Sequence, residues 1–351
     1  MGQRLSKEAT LLAPSIAGDL DEVKRLVGQF IGATKNNDGS ALREFVNRSD
    51  AAGNCAIHGA VFAGHLEIAS FLAESCGADL TIKNGMGCSP IWISSGYNHT
   101  KCLEYLVQQL STNKDSKRCL ERYLLDENDA GDSPFLAAAS KGNIQVCKFM
   151  PTIIDGDDFK CRLIRTPNKA GDTPLKVAVA GCHDIELLEL ILEADASISN
   201  INSGSSQDEM CINKKNNLGL SPLIIACERN LPLVVELLIK HGADVNIRDS
   251  KGRHLLAVSA FCGCDDVVKF LLSQMKLSLS IAYLLNEKDD AGCTALWLAA
   301  RTGNLKMVEL LIDAGADESI ADDEGLAPQN VAVKFKKEKV EKYFQGRQIK
   351  K

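Results

Sequence analysis

A glycine that recurs at a fixed distance before a pair of small residues is the strongest constraint on the fold of this chain. Each of eight glycines precedes, by seven positions, a pair of small or β-branched residues such as Ala299-Ala300. Successive glycines are 34, 44, 40, 48, 33, 40 and 33 residues apart, so a unit of about 33 residues recurs, sometimes with an insertion. Such an array buries its core by stacking neighbouring units, which favours binding over catalysis. The glycines are Gly53, Gly87, Gly131, Gly171, Gly219, Gly252, Gly292 and Gly325.

A helix is predicted to begin shortly after most of these glycines. A hydroxyl at the N-cap accepts a backbone N–H, and proline at the first helical position lacks a donor that would have no partner there. The next apolar residue lies three positions before the small pair, so both share one helical face and let successive helices approach closely. These helix starts are Ser89-Pro90, Ser133-Pro134, Thr173-Pro174 and Ser221-Pro222, while Thr294 and Pro328 retain half of the pair.

Each inner helix is predicted to end eleven residues after its glycine. In six units that position holds glycine or asparagine, which tolerate the left-handed conformation of a helix C-cap. Cys182 is the exception, which we attribute to a one-residue insertion nearby. An outer helix with an apolar face follows, as at residues 234–238, and a Gly-Ala-Asp turn closes the unit. The six cap residues are Gly64, Asn98, Gly142, Asn230, Gly263 and Gly303.

This pattern resembles the ankyrin repeat, in which a glycine, Thr-Pro-Leu-His, two alanines, Gly-His, an apolar helix and Gly-Ala-Asp follow one another. The closest copies are residues 292–317 and 219–249, and the resemblance covers residues 50–344. It implies a mainly α fold, an ankyrin-repeat solenoid of stacked helix-turn-helix units with β-hairpin loops. The unit at Gly252-Arg253-His254-Leu255 departs from the family, because it has neither the hydroxyl nor the proline.

The repeat boundaries predict three parts. Residues 1–48 are expected to form an N-terminal segment with a capping helical pair at 8–27, residues 49–333 the repeat array, and residues 334–351 a basic C-terminal capping helix or tail. Insertions lengthen the array, and their apolar residues favour longer or additional helices, whereas the serine-rich stretch 200–209 favours a loop. The insertions lie at 108–127, 150–167, 193–216 and 273–289.

Composition argues against several other functions. No stretch approaches the roughly 18 apolar residues of a membrane span, and the N-terminus lacks the layout of a secretory signal. Most of the thirteen cysteines, such as Cys102, Cys147 and Cys227, occupy core repeat positions, so we expect reduced thiols in a cytosolic or nuclear protein. Cys262-Gly-Cys264 lacks histidines at zinc-finger spacing, and phosphate-loop and hydrolase motifs are absent. We therefore expect no metal, no cofactor and no catalytic residue.

The resemblance implies that partners bind in a concave groove formed by the hairpin tips and the exposed side of the inner helices. Exposed aromatic and arginine side chains are typical anchors of protein interfaces. The groove charges are mixed and the net charge is −6, whereas nucleic acid needs a continuous basic stripe, so we expect protein partners and a monomeric chain. Packing against neighbouring hairpins is an equal alternative for Phe62 and Phe261. The candidate residues are Asn54, Phe62, Met86, Tyr97, Asp132, Lys141, Leu220, Glu228, Arg229, Arg253, Phe261 and Arg301.

Both ends carry signals for localisation. The first six residues match the pattern for N-myristoylation on Gly2 in a eukaryotic host. Residues 334–351 contain eight lysines or arginines and two glutamates, a net charge of +6, which favours either contact with an anionic membrane or a polar cap. We expect a cytoplasmic protein, held at a membrane face if the lipid is attached, with the nucleus as an alternative.

The function predicted from these patterns is a non-enzymatic scaffold or adaptor. A dedicated inhibitor or assembly chaperone of one enzyme or transcription factor is the first alternative. An enzyme is the remote alternative, since the histidines occupy structural repeat positions. The turn at residues 242–246 also resembles the hairpin context in which family members undergo asparagine hydroxylation, which makes Asn246 a candidate modification site.

Overall fold

The structure, a computed structural model, describes residues 11–33, 39–112, 116–181, 184–201, 210–277 and 283–348. All regular secondary structure in these ranges is helical, and no β-strand is assigned there. Short helices in pairs, joined to the next pair by a tight hairpin turn, confirm the predicted fold class. Two compact units divide the chain, Met1–Cys182 and His183–Lys351.

The described part of the first unit contains twelve α-helices. Inner helices α4, α6, α9 and α12 each pack on the next, and α5 packs on α7 among the outer helices. Helix α1 packs on α4, so α1 and α2 occupy the place in front of the first full repeat where the sequence predicts a capping pair. The helices are α1 (Leu12–Ala17), α2 (Leu20–Ala33), α3 (Gly39–Val46), α4 (Ala56–Ala63), α5 (Leu66–Glu74), α6 (Pro90–Gly96), α7 (Thr100–Ser111), α8 (Ser116–Leu124), α9 (Pro134–Lys141), α10 (Ile144–Phe149), α11 (Asp157–Arg165) and α12 (Pro174–Gly181).

The second unit repeats the same arrangement. Its inner helices α14, α16, α18 and α20 pack in succession, while α15 packs on α17 and α19 packs on α21 on the outer side. The helices are α13 (Ile185–Ile201), α14 (Pro222–Glu228), α15 (Pro232–Lys240), α16 (Leu255–Cys262), α17 (Asp265–Leu277), α18 (Ala295–Thr302), α19 (Leu305–Asp313), α20 (Pro328–Lys334) and α21 (Glu338–Gln348). Two short 3₁₀ helices, Met150–Thr152 and Tyr283–Leu285, complete the described secondary structure.

The four predicted insertions take two forms. Helices α8 and α11 are additional helices, whereas α13 and α17 are prolonged outer helices. Helix α11 packs on α9 and α12 and buries Phe159, Leu163 and Ile164, which explains why that insertion carries its own apolar residues. Residues 202–209 and 278–282, which belong to the other two insertions, lie outside the described residues.

The predicted small pairs form the core between successive inner helices. The alanines at 138, 139, 299 and 300 are fully buried. Where the pair is Ser94-Ser95, both hydroxyls donate to the Ile91 carbonyl, over 3.0 and 2.8 Å, so their burial leaves no polar group unsatisfied. Nine of the twelve cysteines in the described ranges are also buried, including Cys102, Cys147 and Cys227, which confirms them as core thiols; Cys119 and Cys262 are exposed.

The helix ends follow the predicted capping chemistry. The N-cap hydroxyls each accept a backbone N–H from the first helical turn, over 3.2–3.3 Å. Asn98 and Asn230 adopt left-handed conformations with φ of 61° and 56°, as do the glycines at the equivalent C-caps. These contacts confirm the predicted helix boundaries. The hydroxyls described are those of Ser89, Ser133, Ser221 and Thr294.

An acidic or amide residue three positions before each repeat glycine closes the hairpin turn, a feature that the sequence analysis missed. Asn128 is typical, since its Oδ1 accepts the N–H groups of Ala130 and Asp132, both over 2.9 Å. Gly131 has a φ of 81°, and a Cβ there would lie 2.7 Å from the Lys169 nitrogen of the next hairpin. The eight turn-closing residues are Asp50, Asn84, Asn128, Asn168, Asn216, Asp249, Asp289 and Asp322.

A backbone hydrogen bond joins the tips of five pairs of successive hairpins in the described ranges. The carbonyl before the repeat glycine accepts an N–H from the next hairpin. In the first unit this bond joins Met86 O to Asp129 N over 3.0 Å, and in the second it joins Lys251 O to Asp290 N over 3.1 Å. One such bond between tips aligns the loops without forming a strand ladder. Equivalent bonds join residues 52 and 85, 130 and 169, and 291 and 323.

His254 explains the unit that departs from the family pattern. Its Nδ1 accepts the Ala257 N–H over 3.3 Å and so replaces the missing N-cap hydroxyl of α16. Its Nε2 lies 3.3 Å from the Glu287 carbonyl oxygen, which fits a neutral ring that donates from Nε2. Burial lowers the pKa of His254 from 6.5 to about 4; the Glu287 bond opposes this change and the Arg248 charge adds to it.

We expect Asp289→Ala to lower the free energy of unfolding by about 1–3 kcal/mol, because two backbone N–H groups lose their acceptor. Asp289 Oδ1 accepts from Ala291 N over 3.0 Å and from Cys293 N over 2.8 Å. Asp289→Asn keeps that oxygen, as asparagine does in four other repeats, and should change stability far less. Urea unfolding of both variants measures this, and equal losses would contradict the turn-closing role.

We also expect the free energy of unfolding to decrease as the pH is lowered from 6.5 to about 4. The unfolded state protonates His254 below pH 6.5, whereas the folded state does so only near its lowered pKa of about 4. The loss is at most about 3 kcal/mol. His254→Ser restores the usual hydroxyl cap and removes the titrating group, so its unfolding free energy should fall less over this range. Parallel pH dependences for the two proteins would refute the assignment.

Candidate partner-binding pocket

An open apolar pocket lies in the first unit, where α1, α4, α6 and the first two hairpins meet. Its volume is about 290 Å³. Four of the candidate binding residues line it, namely Asn54, Phe62, Met86 and Tyr97. The remaining lining residues are Leu12, Ile16, Asp50, His58, Gly59, Asn84, Cys88, Trp92 and Ile93.

Two exposed aromatic rings form one wall of the pocket. Phe62 and Tyr97 occupy the ends of successive inner helices, and their ring centroids are 4.5 Å apart at an interplanar angle of 64°. The rings remain 43% and 51% exposed, and Met86 is 64% exposed. Phe62 therefore packs on a ring of the next repeat and still presents apolar surface to solvent.

Hydrogen bonds hold the polar residues of the pocket in place. The Asn84 amide donates to Asn54 Oδ1 over 2.9 Å, which ties the first hairpin to the second. Trp92 Nε1 donates to the Asp132 carbonyl over 2.8 Å, which ties α6 to the third hairpin. These bonds fix the walls before any partner arrives, and a preformed surface lowers the entropic cost of binding.

Two titratable residues that line the floor of the pocket, His58 and Cys88, are unreactive. His58 accepts the Cys55 N–H at Nδ1 over 3.1 Å, its Nε2 lies 3.0 Å from the Ile82 carbonyl, and burial lowers its pKa. Burial raises the pKa of the Cys88 thiol, and the carboxylates of the third hairpin raise it further. His58 is thus a neutral structural group and Cys88 a protonated thiol, so the pocket offers apolar contact rather than a nucleophile.

Arg253 does not lie where the groove pattern places it. It is 8% exposed, and its guanidinium forms an ion pair with Asp249 over 2.6 Å. The cause is local: Asp249 closes the hairpin turn, and Arg253 follows it by four residues, within side-chain reach. The Arg253 guanidinium also lies 5.0 Å from the centre of the Phe261 ring, which is 37% exposed. Arg253 is therefore a buried support for Phe261, which corrects its expected exposure.

The other candidates lie at hairpins or helix ends of their own units. Arg301 is exposed on α18, where its guanidinium lies 5.7 Å from the Trp297 ring and 5.3 Å from the Phe335 ring. Burial raises the pKa of Glu228, which is half-buried at the end of α14. Lys141 and Arg229 are exposed, and Asp132 and Leu220 are half-buried. None of these six lines the apolar pocket.

The candidate modification sites differ in what the structure shows. Asn246 is exposed, and its amide oxygen accepts the Tyr283 hydroxyl. Gly2 lies outside the described residues.

In the basic tail, Val340 and Phe344 are buried. Two of its cations form ion pairs, Lys334 with Glu324 and Arg347 with Glu318.

The contribution of α1 to the pocket is not among the features predicted above, although one residue of the sequence indicates it. Gly59 occupies a position within the inner helix where the other seven repeats carry alanine, valine, isoleucine or leucine. A Cβ at Gly59 would lie 2.8 Å from Leu12 Cδ1 and 2.9 Å from Ile16 Cγ1. The missing side chain thus lets α1 approach α4 and add two apolar residues to the wall.

Among the described residues, no helix is both long and apolar enough to cross a membrane. No group of three or more histidine, cysteine, aspartate or glutamate side chains in the described ranges is placed to hold a metal ion.

Comparisons with known proteins identify the repeated unit. A family model described as ankyrin repeats (3 copies) matches residues 11–118 and 201–280, and a model of the single ankyrin repeat matches residues 291–323.

The chain is similar to several curated proteins. It is 30% identical to Ankyrin repeat domain-containing protein 63 of Homo sapiens over 52% of this chain and 43% of that protein. It is 31% identical to the Nuclear factor NF-kappa-B p105 subunit of Rattus norvegicus over 44% of this chain and 15% of that protein. It is 26% identical to the Ankyrin repeat and KH domain-containing protein mask-1 of Caenorhabditis elegans over 76% of this chain and 10% of that protein. The chain thus spans less than half the length of each of these relatives.

We expect the Phe62 and Tyr97 rings to stabilise each other by about 0.5–1.5 kcal/mol, the usual value for an edge-to-face pair. A double-mutant cycle of Phe62→Leu and Tyr97→Leu, followed by urea unfolding, isolates this coupling from the loss of apolar area. Additive effects would show that the two rings do not form one wall.

Proposed function

The chain belongs to the ankyrin-repeat family, and we propose that it is a non-enzymatic adaptor that binds other proteins through the apolar pocket of its first unit. Ankyrin repeats are a protein–protein interaction module, which sets the class of function. The observation that carries the proposal is the convergence of Phe62, Met86 and Tyr97 on one preformed pocket. Exposed aromatic and methionine side chains around a pocket are enriched at protein interfaces.

The size of the pocket supports a protein partner. Ligand and cofactor sites usually enclose about 300–1,000 Å³. This pocket, with about 290 Å³ and an opening to solvent, lies at the lower end of that range. Such a space suits one large side chain of a partner better than a whole small molecule. Its floor residues are held in structural hydrogen bonds, which supports a binding role without chemistry.

Localisation at a membrane face stays a prediction. Its support is the myristoylation pattern at Gly2 and the net charge of +6 in residues 334–351. The ion pairs of Lys334 and Arg347 within the fold support the alternative role of the tail as a cap. Buried free thiols support a reducing compartment, as in the cytoplasm or nucleus.

A photo-cross-linking amino acid in place of Met86 tests the pocket directly. Because Met86 is 64% exposed at the pocket, we expect irradiation in host-cell lysate to give protein adducts at this position. The control places the same amino acid at Glu104, an exposed residue of outer helix α7 that does not line the pocket. Adducts at position 86 should exceed those at position 104 about tenfold, and Tyr97→Ala should reduce them.

The pattern of adducts also separates adaptor from inhibitor. Several adducts of different mass indicate an adaptor, whereas one stoichiometric adduct indicates a dedicated inhibitor or assembly chaperone. Equal yields at positions 86 and 104, unaffected by Tyr97→Ala, would refute the pocket as the binding site.

A further inference from the structure

The pocket has an apolar interior and a negative mouth. Among the described residues that line the pocket, Asp50 is the only acidic one, and none is lysine or arginine. Its Oδ1 accepts the N–H groups of Ala52 and Asn54, over 2.9 and 2.8 Å, but the residue is exposed and forms no ion pair in the described part of the chain. The negative charge of Asp50 therefore faces solvent at the edge of an apolar space.

Two more carboxylates belong to the third hairpin, next to the pocket rather than in its lining. Asp129 Oδ1 lies 2.7 Å from where a Cβ on Gly87 would be, and Asp132 Oδ1 accepts the Asn168 amide N–H over 2.8 Å. Asp129 donates its backbone N–H to the Met86 carbonyl over 3.0 Å, and the Asp132 carbonyl accepts the Trp92 indole N–H over 2.8 Å. Met86 and Trp92 both line the pocket, so these contacts place Asp129 and Asp132 beside it. Both carboxylates also raise the pKa of the Cys88 thiol in the floor.

The neighbouring lysines are engaged elsewhere. Lys83 donates to Asp126 Oδ1 over 2.7 Å and to the Glu127 carbonyl over 2.9 Å. Lys169 donates to the backbone carbonyl of Asp129 over 2.7 Å rather than to its carboxylate. Within the described residues, none of the carboxylates at the mouth forms an ion pair. The first and third hairpins thus place three carboxylates around the second hairpin, which lies between them.

Building on the proposed function, we propose that the occupant is an extended segment of a partner protein with a large apolar side chain next to lysine or arginine. The apolar side chain enters between Ile16, Met86 and Tyr97. The adjacent cation lies at the mouth, where Asp50, Asp129 and Asp132 attract it. Acidic segments are disfavoured, because their charges would meet three carboxylates of like sign.

The chain itself supplies conservative substitutions that test this charge selection. The turn-closing position of Asp50 holds asparagine in four other repeats, where the amide oxygen makes the same two bonds. Asn54 follows its repeat glycine as Asp132 does, and each accepts an amide hydrogen bond from the next hairpin. Asp50→Asn and Asp132→Asn therefore remove two charges while keeping both acceptors.

The experiment selects a displayed library of random peptides on the full chain. The enriched peptides are then synthesised and titrated by fluorescence anisotropy against wild type, the double variant D50N/D132N, Tyr97→Ala and the charge control Glu104→Gln. We expect enriched peptides to carry a large apolar residue with lysine or arginine within two positions. D50N/D132N should weaken them about three- to tenfold at low salt, and less at high salt, as for exposed charge pairs. Tyr97→Ala should weaken them at both salt concentrations, and Glu104→Gln should leave affinity unchanged.

The outcomes separate this proposal from the function on which it rests. The charge selection is overturned if the peptides have no excess of basic residues, or if they bind wild type and D50N/D132N with equal affinity. In that case, a loss of affinity on Tyr97→Ala still identifies the pocket as the binding site. Peptides that bind Tyr97→Ala as tightly as wild type overturn both proposals. A selection that enriches no peptide overturns both as well, since circular dichroism of the wild type confirms that the selected chain is folded.

Discussion

The hydrogen bond between successive hairpin tips is the constraint on which the rest of each unit depends. It requires the carbonyl before the repeat glycine to face the next loop, which the left-handed glycine and the turn-closing aspartate or asparagine together achieve. Once the tips are aligned, the inner helices that follow them are brought side by side at a distance that only small residues allow, as at Ala138-Ala139. The geometry of the hairpin tips and the small residues of the core therefore both follow from the same spacing between successive repeats.

The pocket arises where this regular frame is modified. Because Gly59 has no side chain on the inner face of α4, α1 packs closely there, at the position that a further repeat would otherwise occupy. The next repeat contributes Trp92 at the position that His58 occupies in the first, and its indole N–H donates to the Asp132 carbonyl of the third hairpin. Two local substitutions in a repeated pattern, together with the packing of α1, thus create an open apolar pocket without any change in the order of the helices.

Much of this fold could be predicted from the sequence, because capping and small-residue packing act over a few residues and recur along the chain. The turn-closing residues recur as regularly but were overlooked, since aspartate and asparagine are common in loops. Arg253 was misplaced because its ion pair with Asp249 overrides the position-based expectation of exposure. The wall supplied by α1 could not be derived from periodicity, since it depends on which helix packs against Gly59, a contact between residues more than forty positions apart.

Leu12 and Ile16 of α1 share the pocket with residues of α4 and α6, which has a mechanical consequence. In a repeat array each unit is held mainly by its immediate neighbours, and α1 is held by its packing on α4. A side chain bound in the pocket contacts α1 and the two repeats beside it at once. Occupancy therefore ties α1 to these repeats, and any event that loosens α1 weakens binding of the partner.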